Sequence, residues 1–203
     1  MRFSPPKFVR RLAPSIVWSI ESDDAVFLTF DDGPTPGVTE WALEQLAKYD
    51  ARATFFCLGK NAELYPDLLR RIVEAGHKIG NHTYSHQKGW GMSNERYVED
   101  VDFANQTLRT ELFRPPYGQI KPLQAKILTG RCYKIVLWDV LSRDYSRYVS
   151  PRSCLRNVTK HVRAGSVVVF HDSAKSFRNL RYALPRTLEH IRKMGLRCET
   201  IEL

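Results

Sequence analysis

Two adjacent carboxylates end an apolar run near the start of the chain. Residues 25–34 read Ala-Val-Phe-Leu-Thr-Phe-Asp-Asp-Gly-Pro, so a β-rich segment stops at a Gly-Pro turn and leaves Asp31 and Asp32 at its tip. Two negative charges side by side repel each other unless a cation lies close to them. The pair therefore indicates either a metal site or an ordinary solvated turn, since Asp-Gly is a common turn pair.

Two histidines further along the chain could supply nitrogen ligands to such a site. His82 and His86 stand four residues apart in His-Thr-Tyr-Ser-His, and on a helical turn this spacing places both rings on one side. Two imidazoles and one carboxylate leave a coordination position for water, as in a catalytic zinc site. Iron in a facial triad uses the same ligand types, so the ligand count does not identify the metal.

Other polar residues also follow predicted strands. Arg114 begins the segment Arg-Pro-Pro-Tyr-Gly, a turn that two prolines make rigid, so the amide of Tyr117 could be a fixed hydrogen-bond donor. Asp139 and Asp144 follow the next strand, and His171 ends the apolar run that starts at residue 167. A metal, a base and an acid together suit amide hydrolysis, because the departing nitrogen must be protonated.

The elements that would position these residues alternate between strands and helices. We predict strands at residues 25–32, 53–58, 77–81, 111–114, 133–138, 166–170 and 197–201, and helices at 35–46, 61–76, 93–108, 121–128, 151–162 and 184–194. About seven such units predict an α/β fold, a distorted (β/α) barrel with parallel strands and surrounding helices. An open doubly wound sheet is the alternative. In a barrel the carboxyl ends of the strands meet at one mouth, so the polar residues would surround one cavity.

The composition excludes several classes of protein. The 203 residues are 43% hydrophobic and 26% charged, which suits one sizeable core, and no apolar tract is long enough to span a bilayer. The formal net charge is +9, but no aromatic-basic module of a nucleic-acid binder is present, so we expect no nucleic-acid partner. The four cysteines form no Cys-x-x-Cys pair, which predicts free thiols.

Five segments of the chain, taken in order, carry a family resemblance. They read Thr-Phe-Asp-Asp-Gly-Pro at 29–34, Asn-His-Thr-Tyr-Ser-His at 81–86, Arg-Pro-Pro-Tyr-Gly at 114–118, Ser-Arg-Asp-Tyr at 142–145 and Val-Phe-His-Asp at 169–172. With these motifs the chain resembles the polysaccharide deacetylases with a NodB homology domain, carbohydrate esterase family four. The resemblance extends from about residue 25 to residue 201, and it implies a distorted barrel with seven units.

The resemblance also implies a metal cofactor and its ligands. Carried onto this sequence, the family pattern makes Asp32, His82 and His86 the ligands of a divalent metal. The ion expected is Zn²⁺, with Co²⁺, Ni²⁺ and Fe²⁺ as alternatives.

The same pattern assigns the catalytic groups. Asp31 would be the general base, held in place by Arg114, and the backbone amide of Tyr117 would be an oxyanion donor. His171 would be the general acid, oriented by Asp144. The resemblance thus predicts hydrolysis of the N-acetyl group of an amino sugar, with release of acetate. The expected partner is an acetylated saccharide, either an oligo- or polysaccharide or a lipid-linked one.

The sequence departs from the family pattern at three positions. Leu141 stands where an acidic residue often opens the fourth motif, Tyr145 replaces a usual tryptophan, and Val169 replaces a common leucine. The last two changes alter the acyl pocket or the wall that faces the sugar. Alternative functions are an amidohydrolase or an O-acetyl esterase for a small non-sugar substrate, and an inactive module that binds glycan or a membrane surface.

Residues 1–24 differ from the rest of the chain. Arg2, Lys7, Arg10 and Arg11 alternate there with apolar residues, which predicts a basic amphipathic N-terminal arm ahead of a NodB-like domain at 25–203. The arm either packs across its own barrel or contacts an anionic membrane through residues 1–20. Because the segment lacks the apolar h-region of a secretory signal, we expect a cytoplasmic protein, or one at the inner face of the membrane.

Overall fold

The strand that carries the two carboxylates lies inside a parallel sheet. The computed structural model describes residues 15–203. In that part of the chain the strands are β1 Ile16–Val17, β2 Ala25–Asp31, β3 Ala53–Cys57, β4 Lys78–Asn81, β5 Leu112–Phe113, β6 Lys134–Val136, β7 Val140–Leu141, β8 Val167–His171 and β9 Arg197–Cys198. They form one sheet in the order β1-β6-β5-β4-β3-β2-β8-β7, with β9 paired to β2.

Helices surround this sheet. The α-helices of the described residues are α1 Val38–Ala47, α2 Gly59–Leu64, α3 Pro66–Glu74, α4 Asn94–Leu108, α5 Pro122–Gly130, α6 Pro151–Thr159 and α7 Phe177–Lys193. From β2 to β6 each strand lies beside the next one in the chain, and all of these pairs are parallel. The sheet curls into a half-barrel, which confirms the predicted distorted (β/α) barrel and excludes the doubly wound alternative.

The period of a β-strand decides which residues of β2 face the inside of the half-barrel. All seven residues of β2 are buried. Val26, Leu28 and Phe30 belong to the large apolar cluster under the helices, whereas Ala25 and Phe27 pack in a separate cluster on the other face. Because side chains alternate along a strand, Asp31 shares the face of Phe27 and points into the half-barrel.

Two predicted helices have other boundaries in the structure. The helix predicted at 61–76 is two helices, α2 and α3, because Pro66 interrupts the chain after Tyr65. The helix predicted to start at 184 is α7, which starts at Phe177 and contains Pro185 in its interior. The apolar period of the segment 61–76 predicts that Leu64 and Val73 face inward; this is wrong, since their exposed fractions are 65% and 54%.

The strand predicted at 133–138 also differs from the structure. It is two short strands, β6 and β7, which lie at different places in the sheet. The chain crosses between them at Leu137, Trp138 and Asp139, and Asp139 accepts a hydrogen bond from the amide of Val167 at the start of β8. Asp139 therefore lies at the opposite end of β8 from His171, away from the mouth where we expected it.

The N-terminal segment is described only in part. Residues 1–14, which make up most of the basic arm predicted at 1–24 and of the membrane contact predicted at 1–20, lie outside the described residues. The following strand β1 pairs with β6 in the sheet, with Ile16 opposite Ile135. Among the described residues, no helix combines the length and apolar character that a membrane span requires.

Candidate metal centre and active site

The turn after β2 sends its two carboxylates in different directions. Asp31 continues the alternation of the strand, but Asp32 has a φ of 82°, in the left-handed region that non-glycine residues rarely adopt. The turn is held by hydrogen bonds from outside it. The side chain of Asn61 donates to the carbonyl of Asp32 at 2.8 Å, and the amide of Gly33 donates to Asp172 at 3.1 Å. The strained backbone is thus fixed by α2 and by the end of β8.

Asp31 forms a buried ion pair with Arg114. The two atoms Arg114 Nη1 and Asp31 Oδ1 are 2.8 Å apart, and the side chain of Arg114 has no exposed surface. Arg114 also donates to the hydroxyl of Thr29 and to the carbonyls of Val136 and Leu137. A buried guanidinium is stable only when its donors are satisfied, so these contacts fix both the arginine and the direction of the Asp31 carboxylate.

Asp32, His82 and His86 form a group that could hold a metal ion, and these three residues are called the metal group below. One ligand atom from each residue lies within 4.8 Å of the other two. Asp32 Oδ1 is 3.1 Å from His86 Nε2 and 3.8 Å from His82 Nε2. The histidines are not on a helical turn as predicted; Thr83 and His86 both have positive φ, of 67° and 61°. An irregular loop, not helical periodicity, therefore brings the two rings together.

The protonation of this group fits a divalent cation. Asp32 Oδ1 is buried and accepts no hydrogen bond among the described residues. Burial lowers the pKa of His82 to about 4, so its ring is neutral at pH 7. His82 Nδ1 lies 2.7 Å from the carbonyl of Arg114, which only accepts, so this nitrogen carries the proton and Nε2 keeps its lone pair. Burial opposes ionisation of Asp32, but His86, His171 and His82 hold its pKa below the usual range.

The loop between the two histidines is attached to α4 by one carboxylate. Asp100 accepts hydrogen bonds from the hydroxyl of Ser85 at 2.7 Å and from the amides of Tyr84 and Ser85 at 3.1 and 3.2 Å. The amide of His86 donates to the hydroxyl of Thr83 at 2.9 Å. These bonds give the amides of the loop the acceptors that a helix or strand would otherwise supply. They also set the position of His86.

His171 and Asp144 form a second pair across the mouth. His171 Nδ1 lies 2.8 Å from Asp144 Oδ1, and the backbone amide of His171 donates to the other carboxylate oxygen at 2.8 Å. Burial alone would lower the pKa of His171, but Asp144, with smaller contributions from Asp32 and Asp31, raises it to about 9. The imidazole is therefore protonated at pH 7, with Nε2 as the nitrogen left free to give up a proton.

The turn that contains Tyr117 places an aromatic ring beside the metal group. Tyr117 has a φ of 59°, and the hydrogen bonds of the turn come from the next two amides, those of Gly118 and Gln119. The ring of Tyr117 lies 4.8 Å from that of His86. On the other side of the mouth, the ring of Tyr145 lies 4.9 Å from that of His171. The two aromatic rings that follow β5 and β7 thus border the cleft.

The structure brings together the eight residues to which the family pattern assigns a role, but not Asp139, and it adds others to which the sequence analysis gave no role. The added residues touch the predicted ones: Thr29 on Arg114, Asp100 on the histidine loop, and Asp172 beneath the turn. Burial raises the pKa of Asp172 to about 8. Asn61, the first residue of the helix predicted at 61–76, lies inside α2, and its side chain donates to the carbonyl of Asp32. Only Asp172 had a signal in the sequence, as the neighbour of His171.

Comparison with known proteins agrees with this geometry. Residues 20–130, more than half of the chain, match the family model described as polysaccharide deacetylase. The chain belongs to the polysaccharide deacetylase family. The resemblance seen in the sequence motifs is therefore confirmed, and enzymes of this family deacetylate N-acetylated sugars.

Several polysaccharide deacetylases align with most of the chain. The peptidoglycan-N-acetylglucosamine deacetylase of Bacillus cereus is 31% identical over 194 residues, which cover 92% of this chain and 91% of that protein. The chitooligosaccharide deacetylase of Azorhizobium caulinodans is 29% identical, with 81% and 89% covered. The crystal structure of the Bc1960 peptidoglycan N-acetylglucosamine deacetylase with 4-naphthalen-1-yl-N-oxidanyl-benzamide has a TM-score of 0.89 at 31% identity, covering 97% and 95% of the two chains.

Proposed function

We propose that this polysaccharide deacetylase is a metal-dependent hydrolase that removes the N-acetyl group from an N-acetylated amino sugar and releases acetate. The observation that carries the proposal is the position of Asp32, His82 and His86, whose ligand atoms lie within 4.8 Å of one another, between the Asp31–Arg114 pair and the His171–Asp144 pair. The relatives named for N-acetylglucosamine and chitooligosaccharide substrates support the amino sugar as the substrate class.

The residues of the chain would divide the reaction between a base and an acid. Asp31, whose direction Arg114 fixes, takes a proton from the water that attacks the acetyl carbonyl. The amide of Tyr117 donates a hydrogen bond to the oxygen that becomes negative, which is most effective where the donor is already in place. His171 then gives the proton on Nε2 to the departing sugar nitrogen, and Asp144 holds the ring in that orientation.

A divalent metal, Zn²⁺ by the chemistry of the donor set, would be held by Asp32, His82 and His86. Bound there, it would polarise the acetyl carbonyl and lower the pKa of water. One carboxylate and two neutral imidazoles are a usual set for catalytic zinc, though they also accept Co²⁺, Ni²⁺ and Fe²⁺.

The test is acetate release from an N-acetylglucosamine oligomer by the purified protein. We expect turnover with Zn²⁺ and loss of turnover after chelation. Asp31→Asn should lower kcat by about 10²–10⁴-fold, because it removes the proton acceptor and keeps the size of the side chain. Asp23→Asn, at an exposed position far from the mouth, is the matched control and should keep the wild-type rate.

Two results would contradict the proposal. Full activity of Asp31→Asn would exclude the assigned base. A higher kcat/KM for an O-acetylated oligomer than for the N-acetylated one would instead favour the O-acetyl esterase alternative.

A further inference from the structure

The loops at the mouth of the half-barrel carry exposed cations but bury nearly all of their acids. The segments that follow β2, β4, β5, β7 and β8 contain Asp32, Asp144 and Asp172 as their only acids. Asp144 and Asp172 are at most 1% exposed, and Asp32 belongs to the metal group. Lys88 and Lys175 in the same segments are exposed. The rim of the cleft therefore presents positive charge to any substrate.

Lys88 is directed towards the cleft by an aromatic ring. Its Nζ lies over the ring of Tyr117, 5.0 Å from the ring centre. The same ring lies 4.8 Å from His86, with 56% of Tyr117 exposed. The ammonium group is thus one aromatic ring away from the metal group. Cation–π contacts of this kind orient a side chain without neutralising its charge.

Lys175 has the corresponding position on the other side. Its Nζ lies 6.0 Å from the centre of the Tyr145 ring, and that ring lies 4.9 Å edge-on from His171. No carboxylate pairs with either lysine among the described residues. Next to the metal group, the ring of Tyr117 therefore lies between His86 and the ammonium group of Lys88. Next to the proposed acid, the ring of Tyr145 contacts both His171 and the ammonium group of Lys175.

The sheet order places these two pairs on opposite sides of the reacting carboxylates. Lys88 and Tyr117 follow β4 and β5, whereas Lys175 and Tyr145 follow β8 and β7. The strand β2, which carries Asp31, lies between these two groups of strands. A glycan chain that crossed the mouth from the side of β4 and β5 to the side of β7 and β8 would therefore pass both lysines.

We propose that Lys88 and Lys175 form two subsites for carboxylate groups on the sugars that flank the reacting residue, so that the preferred substrate is an acidic glycan. The proposal rests on the proposed deacetylase function and adds the charge of the substrate to it. A scattered basic surface would not place its two free ammonium groups over the rings that border the cleft. Exposed ion pairs are weak and are screened by salt, so each lysine should change substrate preference by about 2–5-fold.

The experiment compares two forms of one oligosaccharide. The first alternates N-acetylglucosamine with N-acetylmuramic acid, and the second is the same molecule with its carboxyl groups converted to neutral methyl amides. The measured quantity is the ratio of kcat/KM for the acidic form to that for the neutral form. We expect a ratio above one for the wild type, which falls towards one in about 1 M salt.

Variants of the two lysines assign the effect. Lys88→Met and Lys175→Met, which keep an aliphatic chain over each tyrosine, should each lower the ratio by about 2–5-fold. Lys88→Arg and Lys175→Arg should retain it. Lys126→Met, at an exposed lysine in α5, is the matched control and should leave the ratio as in the wild type.

A wild-type ratio of one, or an unchanged ratio in both methionine variants, would overturn the acidic-substrate proposal. An equal fall for both forms would also overturn it, because it would show that the lysines only support the tyrosine rings. Failure of the deacetylase function itself would look different: no acetate would be released from either form or from a neutral N-acetylglucosamine oligomer.

Discussion

At the scale of single residues, the site gives side chains of the same type very different pKa values. Burial lowers the pKa of His82 to about 4, whereas Asp144, against the effect of burial, raises that of His171 to about 9. The pKa of Asp32 is held below its usual range by the neighbouring histidines, while burial raises that of Asp172 to about 8. When the pKa values of two side chains of the same type are shifted in opposite directions, the two side chains suit different roles. Here one member of the histidine pair suits a metal and the other suits proton transfer.

The first prediction at this scale concerns the alkaline limb of the pH–rate profile. An acid must be protonated to act, so activity should fall as the pH rises through the pKa of His171, about 9. Asp144→Asn removes the carboxylate that raises this pKa, so the limb should move to lower pH by about one to three units. The measurement is kcat against pH. Asp23→Asn should leave the limb in place, and an unmoved limb in Asp144→Asn would exclude His171 as the acid.

At the scale of elements, α4 supports the metal group although it contributes no ligand. Asp100 on this helix accepts three hydrogen bonds from the loop that joins His82 to His86. The helix itself is capped by Ser93, whose hydroxyl accepts from the amide of Arg96 at 3.3 Å. A ligand on an irregular loop needs such support, because the loop backbone does not fix its own direction.

We therefore predict that Asp100→Ala weakens metal binding about 10–100-fold, as is common when groups that orient a ligand are removed. The dissociation constant for Zn²⁺, measured by competition with a chelator of known affinity, tests this. Glu99→Ala is the matched control, since Glu99 is the exposed neighbouring acid on the same helix. Equal affinities of the two variants would show that α4 does not position His86.

The sequence predicted the elements better than it predicted the connections between them. Hydrophobic patterning found β2, β3 and β8, because these strands are buried and consist mostly of apolar residues. The short strand β4 has only Ile79 as an apolar side chain, and it was predicted from its place between a helix and His82. Hydrophobic patterning missed β1 and β7, which are two residues long and have no period to detect. The set of site residues was found through motifs. The helical turn assigned to His82 and His86 was wrong, because Thr83 and His86 have positive φ in a loop that Asp100 of α4 holds by hydrogen bonds.

The contacts that support the site were not predictable in the same way. Arg114 is followed by two prolines, a local pattern that predicts a turn but does not show whether the arginine is buried. The structure buries Arg114 because Asp31, Thr29 and two carbonyls from the β6 region all meet it. These partners come from two parts of the chain, residues 29–31 and 136–137, that are distant from Arg114 in sequence, and no local pattern records that they converge.

At the scale of the whole molecule, the half-barrel joins ligands that are distant in sequence. Asp32 follows β2, and the two histidines follow β4, with β3 between these strands in the sheet. A bound ion would therefore connect two segments about fifty residues apart. It would also neutralise a carboxylate oxygen that is buried without a hydrogen bond. Binding of the ion should for both reasons favour the folded state.

The last prediction follows from this linkage. Because a ligand that binds only the folded state stabilises it, Zn²⁺ at about 100 times its dissociation constant should contribute about 2.7 kcal/mol to folding. For a chain of this size that corresponds to a rise in Tm of roughly 5–10 °C, measured by thermal unfolding of metal-free protein with and without Zn²⁺. Asp32→Ala removes one ligand, so the Tm of this variant should show little rise with Zn²⁺, whatever its value in the metal-free state. An equal rise in both proteins would place the ion elsewhere, because a site that needs Asp32 cannot bind equally well without it.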